Sequence, residues 1–251
     1  MRGVIKFNTL LRIVYTLGVS LILSQSAFAE SVLNFARTTV DGVTNAGFGV
    51  MNPTTNFVDV QFTLYGFEGN PVSTGLVNPV SYRIPPKGQL SMLATEVFGA
   101  AVADGWVQVT SPASGLIGSF FSGDFVSTLD GLSPLSAYAT QVVTGIREDA
   151  LNATELQVLN PNPFGGTVTI TFFNARGDEA GSTVRSLTAH AALRLLTSSV
   201  VPNASGAFSA RISSTVPVAS AGAVRTANSL MYAAAQPVDQ AASVRIVLNA
   251  G

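Results

Sequence analysis

Between Val58 and Tyr65 apolar and polar positions alternate without a break, with Val58, Val60, Phe62 and Leu64 on one side and Asp59, Gln61, Thr63 and Tyr65 on the other. Strict period two predicts a strand with one buried face and one wet face. Asn52-Pro53 precedes this run and the turn Gly66-Phe67-Glu68-Gly69-Asn70 follows it. The whole arrangement returns as Asn160-Pro161, then Val168, Ile170 and Phe172 alternating with Thr167, Thr169, Thr171 and Phe173, then Asn174-Ala175-Arg176-Gly177-Asp178. Asn52 to Asn160 and Gly69 to Gly177 are both 108 residues apart, so the chain carries an internal repeat aligned without a gap. Proline lacks the amide proton of a ladder and ends the strand before it. A glycine late in each hairpin turn supplies a residue that accepts positive φ.

The surrounding pattern predicts further strands in order: Phe48 to Met51, a segment near Val72 to Leu76, Ser81 to Ile84, Gln89 to Leu93 after the turn Pro85-Pro86-Lys87-Gly88, Gly105 to Thr110, and Gly115 to Phe121. Thr95 to Ala103 is rich in small residues and admits one helical turn. About seven short strands in about 110 residues, separated by Gly, Pro, Asn and Ser, form the pattern of an immunoglobulin-like sandwich. In the second copy Leu156 to Leu159 matches Phe48 to Met51. Leu187 to Leu196 matches Ile84 to Leu93 at a separation of 103, which puts His190 at the turn position of Lys87. Ala210 and Ile212 match Val107 and Val109. The expected fold is all-β, two tandem immunoglobulin-like antiparallel β-sandwiches after an N-terminal signal peptide, with segments 1–29, 30–141 and 142–251. The division falls within Ser136 to Asp149, which lacks strong alternation. Ser243 to Asn249 resembles Glu155 to Asn160 and reads as a closing strand or as the remnant of a third unit.

The first residues add a location. Arg2, Lys6 and Arg12 precede the apolar run Ile13 to Leu23, and Ala27-Phe28-Ala29 has the small-x-small spacing of a cleavage site. That run is shorter than the roughly 20 residues of a membrane span. A cleaved signal peptide is expected, with an uncleaved anchor as the other reading. Without residues 1–29 the chain keeps 10 Lys+Arg against 14 Asp+Glu, a net charge of −4. A weakly acidic chain with scattered basic residues offers no electrostatic footprint for nucleic acid or an anionic membrane. The chain has no cysteine, so its domains rely on apolar burial and strand pairing.

A strand ending in Asn52-Pro53, the turn Tyr65-Gly66-Phe67-Glu68-Gly69-Asn70 and the strand Gly105-Trp106-Val107 together resemble a tandem β-sandwich module of mostly uncharacterised secreted bacterial proteins. The resemblance covers most of the chain after residue 29, although Ala207-Phe208-Ser209 replaces the tryptophan segment in the second copy. It implies fold and a secreted, periplasmic or cell-surface location, and brings no catalytic residue with it.

Candidate chemistry is sparse. His190 is the single histidine and has no Cys or second His beside it in sequence, against a zinc site, and as a turn residue it reads as solvated or as a lone base. Gly118-Ser119-Phe120-Phe121-Ser122-Gly123 lacks the spacing of a nucleophile elbow. Glu148-Asp149 and Asp178-Glu179 are neighbours, which point apart on a strand and so do not flank a substrate. Asp41, Asp104, Asp124 and Asp130 are isolated rather than clustered as calcium ligands would be, and Asp41 and Asp149 read as turn caps. Tyr65 and Phe173 are equivalent outward aromatics, either a platform for a sugar or a cover for a strand edge or neighbouring domain; Trp106, directly after Gly105, is a third candidate for the platform and otherwise reads as a core-rim residue. The expectation is a non-enzymatic exported structural or interaction protein with no cofactor and no metal. The partner is an unknown protein or glycan, and self-association is a further reading.

Overall fold

The computed structural model describes residues 30–40, 44–99, 103–226 and 230–238. The expected signal segment, Asp41 and Ser243 to Asn249 lie outside the described residues. The chain is all-β, with antiparallel sheets packed as sandwiches. In the first half β1 (Ser31–Val40), β6 (Ala103–Ser111), β3 (Val58–Tyr65) and β4 (Val80–Ile84) lie side by side in one sheet. The facing sheet has the order β5 (Gln89–Leu93), β2 (Asn45–Met51), β7 (Ile117–Gly123) and β8 (Leu129–Leu132). Val58, Val60, Phe62 and Leu64 are all buried as their alternation requires. Each fully buried side chain of this size contributes about 1.5–3 kcal/mol. Phe48 joins the two sheets, its ring 5.3 Å from Phe35, 6.1 Å from Phe62 and 6.0 Å from Phe120 between centroids. The single turn α1 (Ala94–Phe98) drops Val97 and Phe98 into this core, and Glu96 accepts a hydrogen bond from the Leu93 amide at 2.7 Å.

The second half repeats this order strand for strand. β9 (Tyr138–Glu148), the leading stretch of β14 (Gly206–Arg225), β11 (Gly166–Asn174) and β12 (Glu179–Leu187) correspond to β1, β6, β3 and β4. β13 (Ala192–Leu196), β10 (Ala153–Leu159), the trailing stretch of β14 and β15 (Leu230–Ala234) correspond to β5, β2, β7 and β8. The short β16 (Gln236–Pro237) closes the outer edge of β9. β14 is one strand of 20 residues where the first half has two, because the loop between β6 and β7 has no counterpart; Pro217 marks the crossing from one sheet to the other. Pairings β2–β5 and β3–β6 are those of an immunoglobulin sandwich. However, β1 lies beside β6 and β7 beside β2, whereas immunoglobulin order sets the first strand beside the second and the last beside the sixth.

Two expected features take another form. Val72 to Leu76 is a loop, not a strand. Asn78 uses its side chain there, accepting from the Leu64 amide at 2.9 Å and donating to the Leu64 and Val72 carbonyls at 2.7 Å each, so it occupies ladder positions a strand would need. Ser136 to Asp149 is largely the strand β9, which runs through the expected division at 141/142. Its alternation is hidden by a bulge that shifts the inward positions from Gln141 and Val143 to Ile146 and Glu148, with Gly145 at φ 75°. Among the described residues no helix is long and apolar enough to cross a membrane.

Candidate functional site

The repeated Asn-Pro motif builds a turn that serves as a platform. Asn52 and Asn160 are both fully buried. The Asn160 side chain donates to the Phe164 carbonyl at 2.8 Å and the Thr188 carbonyl at 2.7 Å, while its backbone amide donates to the Ala191 carbonyl at 2.9 Å. Asn52 makes the equivalent bonds to Asn56 (2.7 Å) and Pro85 (3.0 Å), with its amide on Gly88 (2.9 Å). Each latch holds a residue in the left-handed region, Lys87 at φ 59° and His190 at φ 54°. In the first half that turn is exposed. In the second half it is pressed against the first.

The contact is a seam between unlike faces: the outer side of the β1–β6–β3 sheet meets the outer side of the β13–β10–β14 sheet. Trp106, Ala36, Leu159, Ala192, Ala219 and Ala221 form its buried apolar centre, with Tyr65 and Phe67 partly buried beside them. Trp106 is fully buried and donates from Nε1 to the His190 carbonyl at 2.9 Å. Tyr65 stacks on Trp106 (5.1 Å between centroids) and on His190 (4.5 Å, planes 8° apart). The first hairpin turn completes the seam, since the Ala192 amide donates to the Phe67 carbonyl at 2.9 Å and Thr188 Oγ1 to the Glu68 carbonyl at 3.0 Å. At Gly69, φ 90°, a Cβ would lie 2.0 Å from the Ala189 carbonyl oxygen; at Gly177, φ 86°, it would meet nothing within 4 Å. Glycine at position 69 thus answers both the turn and the close approach.

Beside the aromatic cluster four charges from the two halves alternate. Arg194 donates to Asp104 at 2.8 Å and to Glu155 at 2.6 Å; Arg37 donates to Glu155 at 3.3 Å, and its Nε lies 3.6 Å from Asp104 in ionic contact. The Arg194 guanidinium also sits over the Phe67 ring, 5.3 Å from its centroid. Burial pulls the Glu155 carboxyl upward, but Arg194 and Arg37 outweigh it and hold the group below its ordinary value. Burial likewise opposes charge on Arg194, and Glu155 with Asp104 more than offsets it. Burial pushes the His190 imidazole below the ordinary histidine value, and its Nδ1 is buried without a hydrogen-bond partner. Burial raises the Tyr65 phenol.

Of the three residues expected to bind a ligand, the structure brings Tyr65 and Trp106 together inside this seam. Phe173 stands apart on the outer face of β11, half-buried, opposite Ser209. Sequence reasoning missed the four charges, yet a signal existed: their repeat equivalents are Gly145, Ala207, Gly47 and Ser91, so the copies differ where the seam is made. Asp149 caps a turn as expected, accepting from the Leu151 and Asn152 amides, and Arg147 is the first of the groups holding its carboxyl well below the usual range. Among the described residues no three of His, Cys, Asp and Glu gather as metal ligands. Chemically, the seam's four charges are paired with each other across the two halves, which suits a clamp.

The sequence matches no protein-family model and no curated relative. Among solved structures, a β-glucuronidase of glycoside hydrolase family 2 aligns with 83% of this chain and 24% of its own, at 10% identity and a TM-score of 0.19. A glycosyl hydrolase family 2 member from Bacteroides cellulosilyticus aligns with 81% and 26%, at 10% identity and 0.19. A Bacteroides uniformis β-glucuronidase aligns with 84% and 27%, at 8% identity and 0.18. The chain spans about a quarter of the length of these proteins, and likeness at such scores carries no argument about activity.

Proposed function

We propose that the chain is a non-enzymatic structural or interaction protein, two repeated sandwiches of the immunoglobulin-like kind acting at the cell envelope or outside the cell. One observation carries this reading: His190, Trp106, Tyr65 and the charges Arg37, Asp104, Glu155 and Arg194 all spend their chemistry on joining the two halves. Export rests on the basic, apolar and small-residue order of positions 1–29. The test is turnover. Purified chain offered ester, glycoside and peptide substrates is expected to be inert, and robust hydrolysis abolished by one point substitution sinks the reading.

A glycan-binding module is the second reading, favoured by the aromatic ring of Phe173 on an outer sheet face rich in Ser and Thr. A glycan array with wild type and Phe173→Ala decides it; binding that the substitution leaves intact removes Phe173 as the platform.

A further inference from the structure

The seam joins unlike faces, so the chain has a second face of each kind that the seam does not use. The face of the second half equivalent to the Tyr65–Trp106 surface presents Thr167, Thr169 and Thr171 on β11 and Ser209, Arg211 and Ser213 on β14, with Ser209 where the first half has Trp106. It is mostly polar, with Phe173 and Val184 as its apolar members. The face of the first half equivalent to the buried Leu159–Ala219–Ala221 surface is different. Met51 and Ile117 form one apolar row across β2 and β7, 36% and 56% exposed, and Leu93 and Phe121 flank Gly47 in another, Phe121 42% exposed. Between the rows runs a trough of Ser91, Gly49 and Ser119. No outward position on β2, β5 or β7 is charged, whereas the equivalent face of the second half carries Glu155 and Arg194.

We propose that two copies of this chain meet through the outer face of β5–β2–β7 in the first half, about a two-fold axis passing near Gly49. A two-fold contact sets one patch against itself, residue i on residue j and j on i, and no charge on the strands of this face has to be desolvated or matched for it to form. The axis lays the Met51–Ile117 row of one copy over the Leu93–Phe121 row of the other, with the Gly–Ser trough letting the sheets approach to about 10 Å. The equivalent sheet face of the second half already receives a neighbouring sandwich, there through an unlike partner face, so sheet packing on this side is a contact the fold supports. Head-to-tail stacking would instead set the apolar rows on the Ser/Thr face of the next copy. The proposal rests on the interaction-module reading, but a strict monomer would remove the dimer without bearing on turnover, which decides that reading.

The test is the oligomeric state of the purified chain by sedimentation over a wide concentration range. A dimer that forms with rising concentration is expected, with Ile117→Asp weakening association about tenfold or more. Val184→Asp, an equally exposed apolar position on β12, leaves association unchanged. Because the chain has no cysteine, Ser119→Cys supplies one thiol near the axis, and a short bis-maleimide is expected to link it into dimers while Ser213→Cys on the polar face stays monomeric. Unchanged melting of each variant shows that it folds. A monomer at every concentration, an open-ended ladder, or dissociation by Val184→Asp but not Ile117→Asp overturns the proposal.

Discussion

The Tyr65 ring lies parallel to the His190 imidazole, 4.5 Å apart and 8° from coplanar, across the seam between the two halves of the chain. Burial lowers the His190 pKa, so the unfolded chain binds the proton more readily than the folded one. The stability supplied by the neutral ring is therefore complete above the ordinary histidine value of 6.5 and declines as pH falls through the lowered one. His190→Asn keeps a residue tolerant of the left-handed turn. The expected outcome is that wild-type melting temperature drops between pH 7 and mildly acidic pH by more than that of His190→Asn, and equal slopes would contradict it.

Gly69 and Gly177 give a matched pair of substitutions. Both are left-handed, so alanine costs each about 1–2 kcal/mol in backbone strain. Only at position 69 does the new methyl also collide with the facing turn. Gly69→Ala is expected to destabilise clearly more than Gly177→Ala in denaturant unfolding. It should also shift the emission of the single tryptophan, Trp106, to longer wavelength as its burial in the seam is lost.

Glu155 sits between two guanidiniums. Glu155→Gln leaves Arg37 and Arg194 with Asp104 as their shared countercharge in a partly buried site, with an expected loss of about 1.5–3 kcal/mol. Replacing Arg37, Asp104, Glu155 and Arg194 together by apolar residues should cost less than the single change, as buried ion networks gain little over well-packed apolar groups. The wild-type contribution of Glu155 is present above the ordinary glutamate value and is lost as pH falls through its lowered one, so acid titration of the two proteins should converge at low pH.

The Asn latches make a parallel test within one molecule. Asn52→Ala and Asn160→Ala each remove a buried side chain and the donor of part-buried turn carbonyls, at about 0.5–1.5 kcal/mol per lost hydrogen bond. Chemical denaturation is expected to show both losses. Asn160→Ala additionally loosens the turn under His190 and should change Trp106 fluorescence in the native state, whereas Asn52→Ala should not.

Features carried by local pattern were legible in the sequence. Val58 to Leu64 and Val168 to Phe172 are buried as alternation required, the turn glycines have positive φ, and Lys87 and His190 occupy the same turn conformation. What escaped was whatever depends on partners remote in the chain. β9 was unreadable because a bulge breaks its period and a buried Gln141 takes a core position, its amide bonded to the Val218 carbonyl at 2.7 Å and Ser220 Oγ at 2.9 Å. Tyr65 is polar-side by pattern, and nothing local reveals that the outer side of β3 is covered by His190, 125 positions away. Asn52 and Asn160 were read as strand stops, while their side chains prove to be the buried anchors of the following turn.

β14 gives the second half a mechanical property that the first half lacks. One continuous backbone is hydrogen-bonded to β9 and β11 in one sheet and to β10 and β15 in the other. Tension drawn along it is shared by four neighbours at once, and neither sheet can shear free while the other holds. The first half divides the same duty between β6 and β7, joined by a loop, so under load its sheets can separate in succession and it should be the half that yields first.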